Sequence, residues 1–353
     1  MSHQIKAIVF PEPGKVDVRD FVLPPPGDED ILVKSLYTMV SPGTELRGWS
    51  GKADFPMIPG YATIGEVIGV GAKVKGYRVG DLVSGRSCKR FFNDGQFNCG
   101  GHQSGHLFPT AGEDRAVLLP AGANPKDYVI AEIAAISRRG VEAARVQPGE
   151  TALVIGQGLI GSLSAAWLQV AGCHVVVTDL EDGRLQRAMA RGVFAAVNGK
   201  APDARERLLA HVNGGADIVV ESSGSSAGVK LAYSLVGAKP RSYPYVEGAS
   251  YRGESMAATA GQWPRLIMQA SYTEEVAIHP HGFYPGEGIV ILTPADRSLE
   301  DRQQTVKALA AGRIKAADFV DRILTHREAP DAYKTLRDDK NRYFSVVFDW
   351  RNE

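Results

Sequence analysis

The chain has few cysteines, no excess charge and no long apolar run, and each shortage excludes a class of protein. Three cysteines in 353 residues are too few for a disulfide framework and are typical of a reducing compartment. Equal numbers of basic and acidic residues, 40 of each, give no basic surface for a nucleic acid. No apolar stretch reaches the roughly 20 residues that span a bilayer.

The remaining composition is that of a large enzyme. Hydrophobic residues make up 44% of the chain and charged residues 23%, which is enough for a sizeable core and two domains. The N-terminal sequence MSHQIKAIVF lacks the basic, apolar and small-residue regions of a signal peptide. We therefore expect a cytoplasmic protein that acts on a small-molecule substrate and has no nucleic-acid or membrane partner.

Residues 151–179 contain an apolar run, a G-x-G-x-x-G turn, a helical pattern, a second apolar run and an acid, in that order. This order predicts a dinucleotide-binding βαβ unit. Gly156 permits the tight turn, Gly158 lets a pyrophosphate approach the backbone, and Gly161 lets the helix pack closely on the sheet. The phosphates are expected at the N–H groups that open the helix.

Asp179 ends the second apolar run, where a carboxylate accepts hydrogen bonds from an adenosine ribose. Its charge repels a 2′-phosphate, so NAD is favoured over NADP; the alternative is that Asp179 caps the next helix. Residues 222–224 follow another apolar run and are either cofactor contacts or an ordinary polar loop. The candidate cofactor-binding residues are Gly156, Gln157, Gly158, Leu159, Ile160, Gly161, Asp179, Leu180, Arg184, Ser222, Ser223 and Gly224.

The region before the glycine turn has short β-rich runs separated by Pro and Gly clusters, which predict an all-β module with tight corners. These runs lie at 5–9, 31–36 and 63–70. After Asp179, strands are predicted at 193–197, 216–221 and 242–246, and helices at 183–190 and 203–211. The last segment, 319–350, predicts a strand, a helix and a strand.

Five motifs resemble those of the medium-chain dehydrogenase/reductase superfamily, in the family's order and over nearly the full length. They are VSPGTELRG, IPGYATIGEVIGVG, GYRVGD, VQPGETALVIGQGLIG and GADIVVESSGSS. The resemblance implies an α/β protein in which a GroES-like β-barrel catalytic domain, 1–138 and 284–353, is joined to a Rossmann domain with a doubly wound parallel sheet, 139–283. It also implies a homodimer.

Zinc-dependent members of this family bind the catalytic metal through a Cys-Gly-Thr-Asp element, a Gly-His-Glu element and a later Cys or Glu. In this chain the first element reads PGTE at 42–45 and the second GYA at 60–62, so only Glu132 matches a ligand position. One carboxylate cannot hold a catalytic Zn²⁺, which needs three protein ligands. The four closely spaced cysteines of the structural zinc lobe are also missing. We therefore predict a zinc-independent enzyme.

A rival metal site consists of Cys88, Cys99, His102 and His106. Its two cysteines lie further apart than the two to four residues usual in a zinc knuckle. The alternative is a glycine-rich loop whose histidines border a substrate cleft or solvent.

Without a metal, a side chain has to handle the alcohol proton. Tyr61 occupies the position of the missing histidine, with Thr44 in the family's hydroxyl relay position and Ser41 beside it. The pKa of a phenol, about 10, would have to fall for Tyr61 to act as a base, so a nearby cation or hydrogen-bond donor is expected. His102 is the other acid–base candidate. The alternatives are a core or rim role for Tyr61 and a solvated loop position for His102.

A late segment rich in aromatic and histidine side chains is either a substrate wall, or an interface or surface loop. It includes Tyr272, His279, His281 and Tyr284. The leading functional hypothesis is an NAD-dependent, zinc-independent oxidoreductase that interconverts a secondary alcohol and a ketone on a sugar, cyclitol or secondary metabolite. The alternatives are an NADPH-dependent quinone or enoyl-type reductase and a noncatalytic dinucleotide-binding protein.

Overall fold

The computed structural model of this protein describes residues 3–86, 100–237, 263–272, 274–277, 289–339 and 343–353. The chain forms two compact units: a β-rich unit, Met1–Ile136 with Arg297–Glu353, and an α/β unit, Ser137–Asp296. The implied domain boundaries at 138/139 and 283/284 stay a prediction at the level of single residues.

The strands of the described residues are numbered in chain order. They are β1 (His3–Val9), β2 (Asp17–Leu23), β3 (Asp30–Met39), β4 (Thr63–Val70), β5 (Leu82–Gly85), β6 (Gly105–Pro109), β7 (Val117–Leu118), β8 (Thr151–Ile155), β9 (His174–Asp179), β10 (Ala195–Asn198), β11 (Ile218–Glu221), β12 (Arg265–Met268), β13 (Val290–Leu292), β14 (Arg322–Thr325) and β15 (Val346–Asp349).

The helices are α1 (Pro42–Trp49), α2 (Ala131–Ala143), α3 (Leu159–Val170), α4 (Asp182–Ala190), α5 (Ala204–His211), α6 (Ser226–Leu235), α7 (Leu299–Ala310) and α8 (Ala329–Asp338). Among these described helices, none combines the length and apolar character that a bilayer-spanning segment needs.

The β-rich unit is built on a mixed sheet in which the strands lie in the order β14-β15-β3-β4-β5-β7, with β6 also paired to β3. Strands β1 and β2 form a separate antiparallel pair. The runs predicted at 5–9, 31–36 and 63–70 lie within β1, β3 and β4, which confirms that this region is rich in β-strands. It is not all-β, because α1 also lies in it.

The α/β unit has a parallel sheet with the strand order β10-β9-β8-β11-β12-β13. The strand order reverses between β8 and β11, and ligands of such sheets bind outside the carboxyl ends of the strands at this point. The Rossmann fold predicted from the glycine turn is therefore confirmed. Strands β10 and β11 and helices α4 and α5 lie at the predicted positions, whereas the predicted strand 242–246 lies outside the described residues.

The predicted strand, helix and strand near the end of the chain are confirmed as β14, α8 and β15. β15 pairs with β14 on one side and with β3 on the other. Its Phe348 packs in a buried cluster with Phe10, Tyr333 and Trp350. The late segment therefore completes the core of the β-rich unit, which is discontinuous in sequence, as predicted.

Replacing Phe348 by alanine tests this role of β15. Phe348 is fully buried, and a Phe→Ala change at such a site costs about 3–5 kcal/mol of unfolding free energy through lost burial and a cavity. The control Ile323→Ala changes an exposed residue of neighbouring β14 and should cost less than about 1 kcal/mol. Urea denaturation of both variants measures the difference. Equal stability of the two would show that β15 does not anchor the core.

Candidate active site and cofactor site

Three hydroxyl groups predicted as catalytic come together at the start of α1. Pro42 takes the first helical position, where its missing N–H costs nothing, and Ser41 precedes it as the N-cap. The Ser41 hydroxyl makes no helix cap; instead it accepts a hydrogen bond from the Tyr61 phenol at 2.5 Å. Thr44 supplies a further hydrogen-bonding hydroxyl to Tyr61. The structure thus joins Ser41, Thr44 and Tyr61 in one cluster.

The expected cation is present beside Tyr61, but the pKa of the phenol is raised. Burial is the largest cause; the hydrogen bond with Ser41 and the charge of Arg297 act in the opposite direction, and the charge of Glu45 opposes them. The Arg297 guanidinium carbon lies 5.1 Å from the centroid of the Tyr61 ring. The expected cation and hydrogen-bond partner are thus present, but they do not lower the pKa below its usual value, because burial outweighs them. At neutral pH Tyr61 is a neutral phenol and a proton donor.

Glu45, from the PGTE element, forms the centre of a buried polar network. One carboxylate oxygen accepts the backbone N–H of Ser41 at 2.7 Å. The other lies 3.0 Å from His102 Nε2 and accepts the Tyr333 hydroxyl at 2.5 Å. The Nδ1 atom of His102 lies 2.7 Å from the Thr38 hydroxyl. This network fixes Ser41, and through it Tyr61.

His102 itself is fully buried, and both of its ring nitrogens have protein partners. The loop that contains His102 packs tightly on residues 58–61, which precede β4. A Cβ atom on Gly100 would lie 2.2 Å from the carbonyl oxygen of Ile58, and one on Gly60 would lie 2.7 Å from the His102 ring. His102 is therefore not solvated, so the alternative of a solvated loop histidine is wrong. Among the described residues, the ring nitrogens of His102 bond to Thr38 and Glu45 and not to the Tyr61 phenol. Its catalytic role stays a prediction.

Glu132, the residue at a family ligand position, is buried and held by two arginines. Arg297 Nε donates to it at 3.0 Å, Arg302 Nε lies 3.0 and 2.9 Å from its two oxygens, and the Ser84 hydroxyl donates at 2.7 Å. Burial alone would raise the pKa of Glu132, but the two guanidinium groups outweigh it and lower this pKa to about 2. The carboxylate is therefore charged and fully engaged.

The glycine turn has the sterics that its sequence predicts. A Cβ atom on Gly161 would lie 1.9 Å from the carbonyl oxygen of Gly156, and one on Gly156 would lie 2.8 Å from the backbone nitrogen of Ser223. Gly158 precedes α3, and a Cβ atom there would meet no protein atom within 4 Å. The backbone at Gly158 is thus open to a ligand, beside the N–H groups of Leu159 and Ile160 that open the helix. These residues fit a dinucleotide pyrophosphate.

Asp179 ends β9, the strand beside β8, and its carboxylate faces the glycine turn. It accepts the backbone N–H of Gln157 at 2.6 Å and that of Glu181 at 2.9 Å. Arg184 Nη1 lies 3.6 Å from the same carboxylate. Because a carboxylate accepts about four hydrogen bonds, capacity remains for a ribose. Leu180, the next residue, exposes 55% of its surface.

The loop 222–224 is shaped by Glu221, a fully buried carboxylate at the end of β11. It accepts the backbone N–H groups of Ser223 at 2.8 Å and Gly224 at 3.2 Å, and the hydroxyls of Ser223 and Tyr272. Ser222 and Ser223 thus border the glycine turn at Gly156, whereas Gly224 lies beside Ala270 and Ser271. Tyr272 lies in the α/β unit, whereas His279, His281 and Tyr284 lie outside the described residues.

Sequence reasoning misses the groups that act at a distance. Arg297 carries no local motif, and the PGTE element that contains Glu45 gives no sign of its partners. The partners of Glu45 and Arg297, His102 and Glu132, lie 57 and 165 residues away in the chain. Glu221, by contrast, can be predicted from the local sequence. An acid at the end of an apolar run needs hydrogen-bond donors, and the residues that follow it in the chain are the nearest source of them. The run predicts the strand, and its terminal acid indicates a polar turn after it.

Two family models match the chain: "Alcohol dehydrogenase GroES-like domain" over 27–129 and "Zinc-binding dehydrogenase" over 160–242. L-galactonate-5-dehydrogenase of Escherichia coli K12 is 27% identical over 253 residues, which cover 66% of this chain and 73% of the relative.

Two crystal structures that resemble this fold cover 98% of this chain and 99% of their own chains. One, described as a short chain alcohol dehydrogenase from E. coli CFT073 with NADH, has a TM-score of 0.80 at 18% identity. The other, from Sinorhizobium meliloti 1021 with NADP, has a TM-score of 0.77 at 22% identity.

The described residues do not fit the catalytic zinc that this family implies. Glu132 is engaged by Arg297 and Arg302, Tyr61 is a neutral phenol, and Pro42 has no side-chain donor atom. Among the described residues, no three His, Cys, Asp or Glu side chains gather as metal ligands. Cys88 and Cys99 of the rival site lie outside the described residues, so the absence of a metal at that site stays a prediction.

A pair of glycine variants tests the cofactor site. Gly161→Ala should destabilise the protein by about 1–3 kcal/mol, because its Cβ has no room. Gly158→Ala should cost at most about 1 kcal/mol as a poorer N-cap, but it should weaken NADH binding about tenfold or more by filling the space open to the phosphates. Thermal unfolding and NADH titration measure both effects. Unimpaired NADH binding by Gly158→Ala would place the phosphates elsewhere.

Proposed function

We propose that this chain, as a member of the medium-chain dehydrogenase/reductase family of zinc-type alcohol dehydrogenases, is an NAD(H)-dependent, zinc-independent oxidoreductase that interconverts a secondary alcohol and a ketone. The observation that carries the proposal is the hydrogen bond between Tyr61 and Ser41. It links the element at 60–62 to the residue directly before the element at 42–45, and metal-dependent members hold zinc with these two elements. A polar substrate, such as a sugar acid or polyol, is supported by the relative named for L-galactonate.

Asp179 supports NAD as the cofactor. Its carboxylate lies at the end of β9 beside the glycine turn, where it accepts ribose hydroxyls and repels a 2′-phosphate. Leu180 offers an exposed apolar side chain for the adenine ring. Arg184 is the group that favours NADP, but it is already drawn towards Asp179 at 3.6 Å. The α/β unit thus supplies the cofactor-binding half of the enzyme.

When bound, the nicotinamide supplies the hydride acceptor for alcohol oxidation and the hydride donor for ketone reduction. The remaining proton is handled by the β-rich unit. In ketone reduction Tyr61 donates its phenol proton to the developing alkoxide. In alcohol oxidation the ionised Tyr61 accepts the hydroxyl proton, and the Ser41 hydroxyl, held by the network around Glu45, stabilises the phenolate by donating to it.

The role of Asp179 is tested by the Asp179→Ser variant. Loss of a charged hydrogen-bond acceptor should weaken NADH binding about tenfold or more, while NADPH binding should be unchanged or improved. Fluorescence titration of both nucleotides measures this, with Asp182→Asn as the control for an exposed acid of α4. Tighter binding of NADPH than NADH by the wild-type protein would contradict the NAD assignment.

The role of Tyr61 is tested by its pH dependence. Because the raised pKa keeps the phenol protonated near neutrality, kcat/KM for alcohol oxidation should rise about tenfold per pH unit into the alkaline range, while ketone reduction stays constant there. Tyr61→Phe should lower kcat by about 10²–10⁴ and remove the pH dependence. The control Tyr37→Phe changes a buried tyrosine of β3 and should retain both.

These rates require a substrate panel of polyols, sugar acids including L-galactonate, ketones and enones, with elemental analysis of the same preparation. Stoichiometric zinc, or full activity of Tyr61→Phe, would contradict the proposal. Turnover of enones with NADPH would replace it with a double-bond reductase. Nucleotide binding without any turnover would replace it with a noncatalytic binding protein.

A further inference from the structure

The side chain of Arg297 lies between two residues that the family resemblance places at metal-ligand positions. Its guanidinium carbon lies 5.1 Å from the centroid of the Tyr61 ring, and its Nε donates to Glu132 at 3.0 Å. Metal-dependent relatives would hold a cation with these two positions. In this chain a cation is supplied by the protein itself.

Contacts with Glu132 and Tyr61 hold the guanidinium in this place. Besides the Glu132 carboxylate and the Tyr61 ring, Arg297 Nη2 donates to the backbone carbonyl of Tyr61 at 3.2 Å. Only 7% of Arg297 is exposed, so water screens its charge weakly. A planar guanidinium suits this combination, because it donates in its plane and stacks with its face.

Arg302 binds the same carboxylate but has a different role. Its remaining donors go to the backbone carbonyls of Glu113, Arg115 and Ser84. Arg302 therefore ties strand and loop backbones together around Glu132. Arg297, by contrast, is the arginine whose contacts reach Tyr61.

We propose that Arg297, clamped by Glu132 over the face of Tyr61, is a positioning residue that stabilises the ionised form of Tyr61 during proton transfer and so replaces the metal cation of related enzymes. This inference rests on the proposed function of Tyr61 as the proton carrier. It adds no reactant: the proton moves between Tyr61 and the substrate oxygen, and Arg297 keeps its charge throughout.

The charges that face Tyr61 determine the sign of the effect. Arg297 favours the phenolate, as do the hydrogen bonds with Ser41 and Thr44, whereas burial and the carboxylate of Glu45 favour the neutral phenol. Glu45 is itself engaged by His102 and Tyr333. When the Arg297 cation is removed, burial and the Glu45 carboxylate disfavour the phenolate of Tyr61, and only the hydrogen bonds with Ser41 and Thr44 still favour it. The ionisation of Tyr61 then moves to higher pH.

The test compares Arg297→Met with wild type in the full-length protein. Methionine fills much of the space, and Arg302 remains to pair with Glu132. Tyrosine ionisation is followed by NMR of protein labelled at the tyrosine Cζ carbon, with Tyr61→Phe to identify the Tyr61 signal. Loss of a cation at this distance should raise the pH at which Tyr61 ionises by about one unit or more. Alcohol oxidation near neutrality should fall about tenfold in parallel.

Two further variants complete the design. Arg297→Lys keeps the charge but not the planar fork, so it should shift the Tyr61 titration by less than Arg297→Met and recover part of the rate. Arg351→Gln is the matched control, because Arg351 lies 5.2 Å over the ring of Tyr37. It should leave the Tyr61 signal and the rate unchanged.

The outcomes separate this inference from the proposed function. If Tyr61→Phe loses turnover but Tyr61 titrates as in wild type in the folded Arg297→Met protein, the role of Arg297 is wrong and that of Tyr61 stands. If Arg297→Met does not fold, an unshifted titration in Arg297→Lys overturns the inference. If Tyr61→Phe keeps full turnover, Tyr61 is not the proton carrier, and the catalytic role of Arg297 falls with it. A shifted titration of Tyr61 would then show that Arg297 affects its ionisation without a role in turnover.

Discussion

A carboxylate buried in a protein interior has to be compensated by hydrogen bonds or by cations, and Glu132 of the β-rich unit is compensated by two arginines. Both arginines, Arg297 and Arg302, come from the returning segment that begins at Arg297. Removing one partner of such a buried pair typically costs about 3–5 kcal/mol. The segment that returns to this unit thus supplies both cations that compensate Glu132, and one of the two guanidinium groups lies over the ring of Tyr61.

A second buried carboxylate, Glu45, positions the hydroxyl cluster of Ser41, Thr44 and Tyr61, as Glu132 positions the guanidinium of Arg297. One of its carboxylate oxygens accepts a hydrogen bond from the backbone of Ser41, and the other lies within hydrogen-bond distance of His102 and Tyr333. Ser41 and Tyr61 thus stand between two anchored charges of opposite sign. The ionisation of Tyr61 therefore depends on charged residues around it as well as on its own hydroxyl group.

The sequence predicted those features whose cause is local. Gly156 and Gly161 follow from backbone contacts a few residues away, and Asp179 from its place after a strand. The grouping of Ser41, Thr44 and Tyr61 followed from family motifs. The pairing of Glu132 with Arg297 spans 165 residues, so no periodicity or motif encodes it. The direction of the Tyr61 pKa was also out of reach, because it depends on the balance between burial and charge in three dimensions.

The position of β15 has a consequence for how the protein is made. Residues 347–349 pair with residues 37–39 of β3, so the central sheet of the β-rich unit stays incomplete on the ribosome until this strand has emerged. The α/β unit is synthesised in between and contains all the strands of its own sheet. The described strands of the α/β sheet have therefore all been synthesised before the last strand of the β-rich sheet emerges. Folding of the β-rich unit thus depends on a pairing between the first and the last parts of the chain.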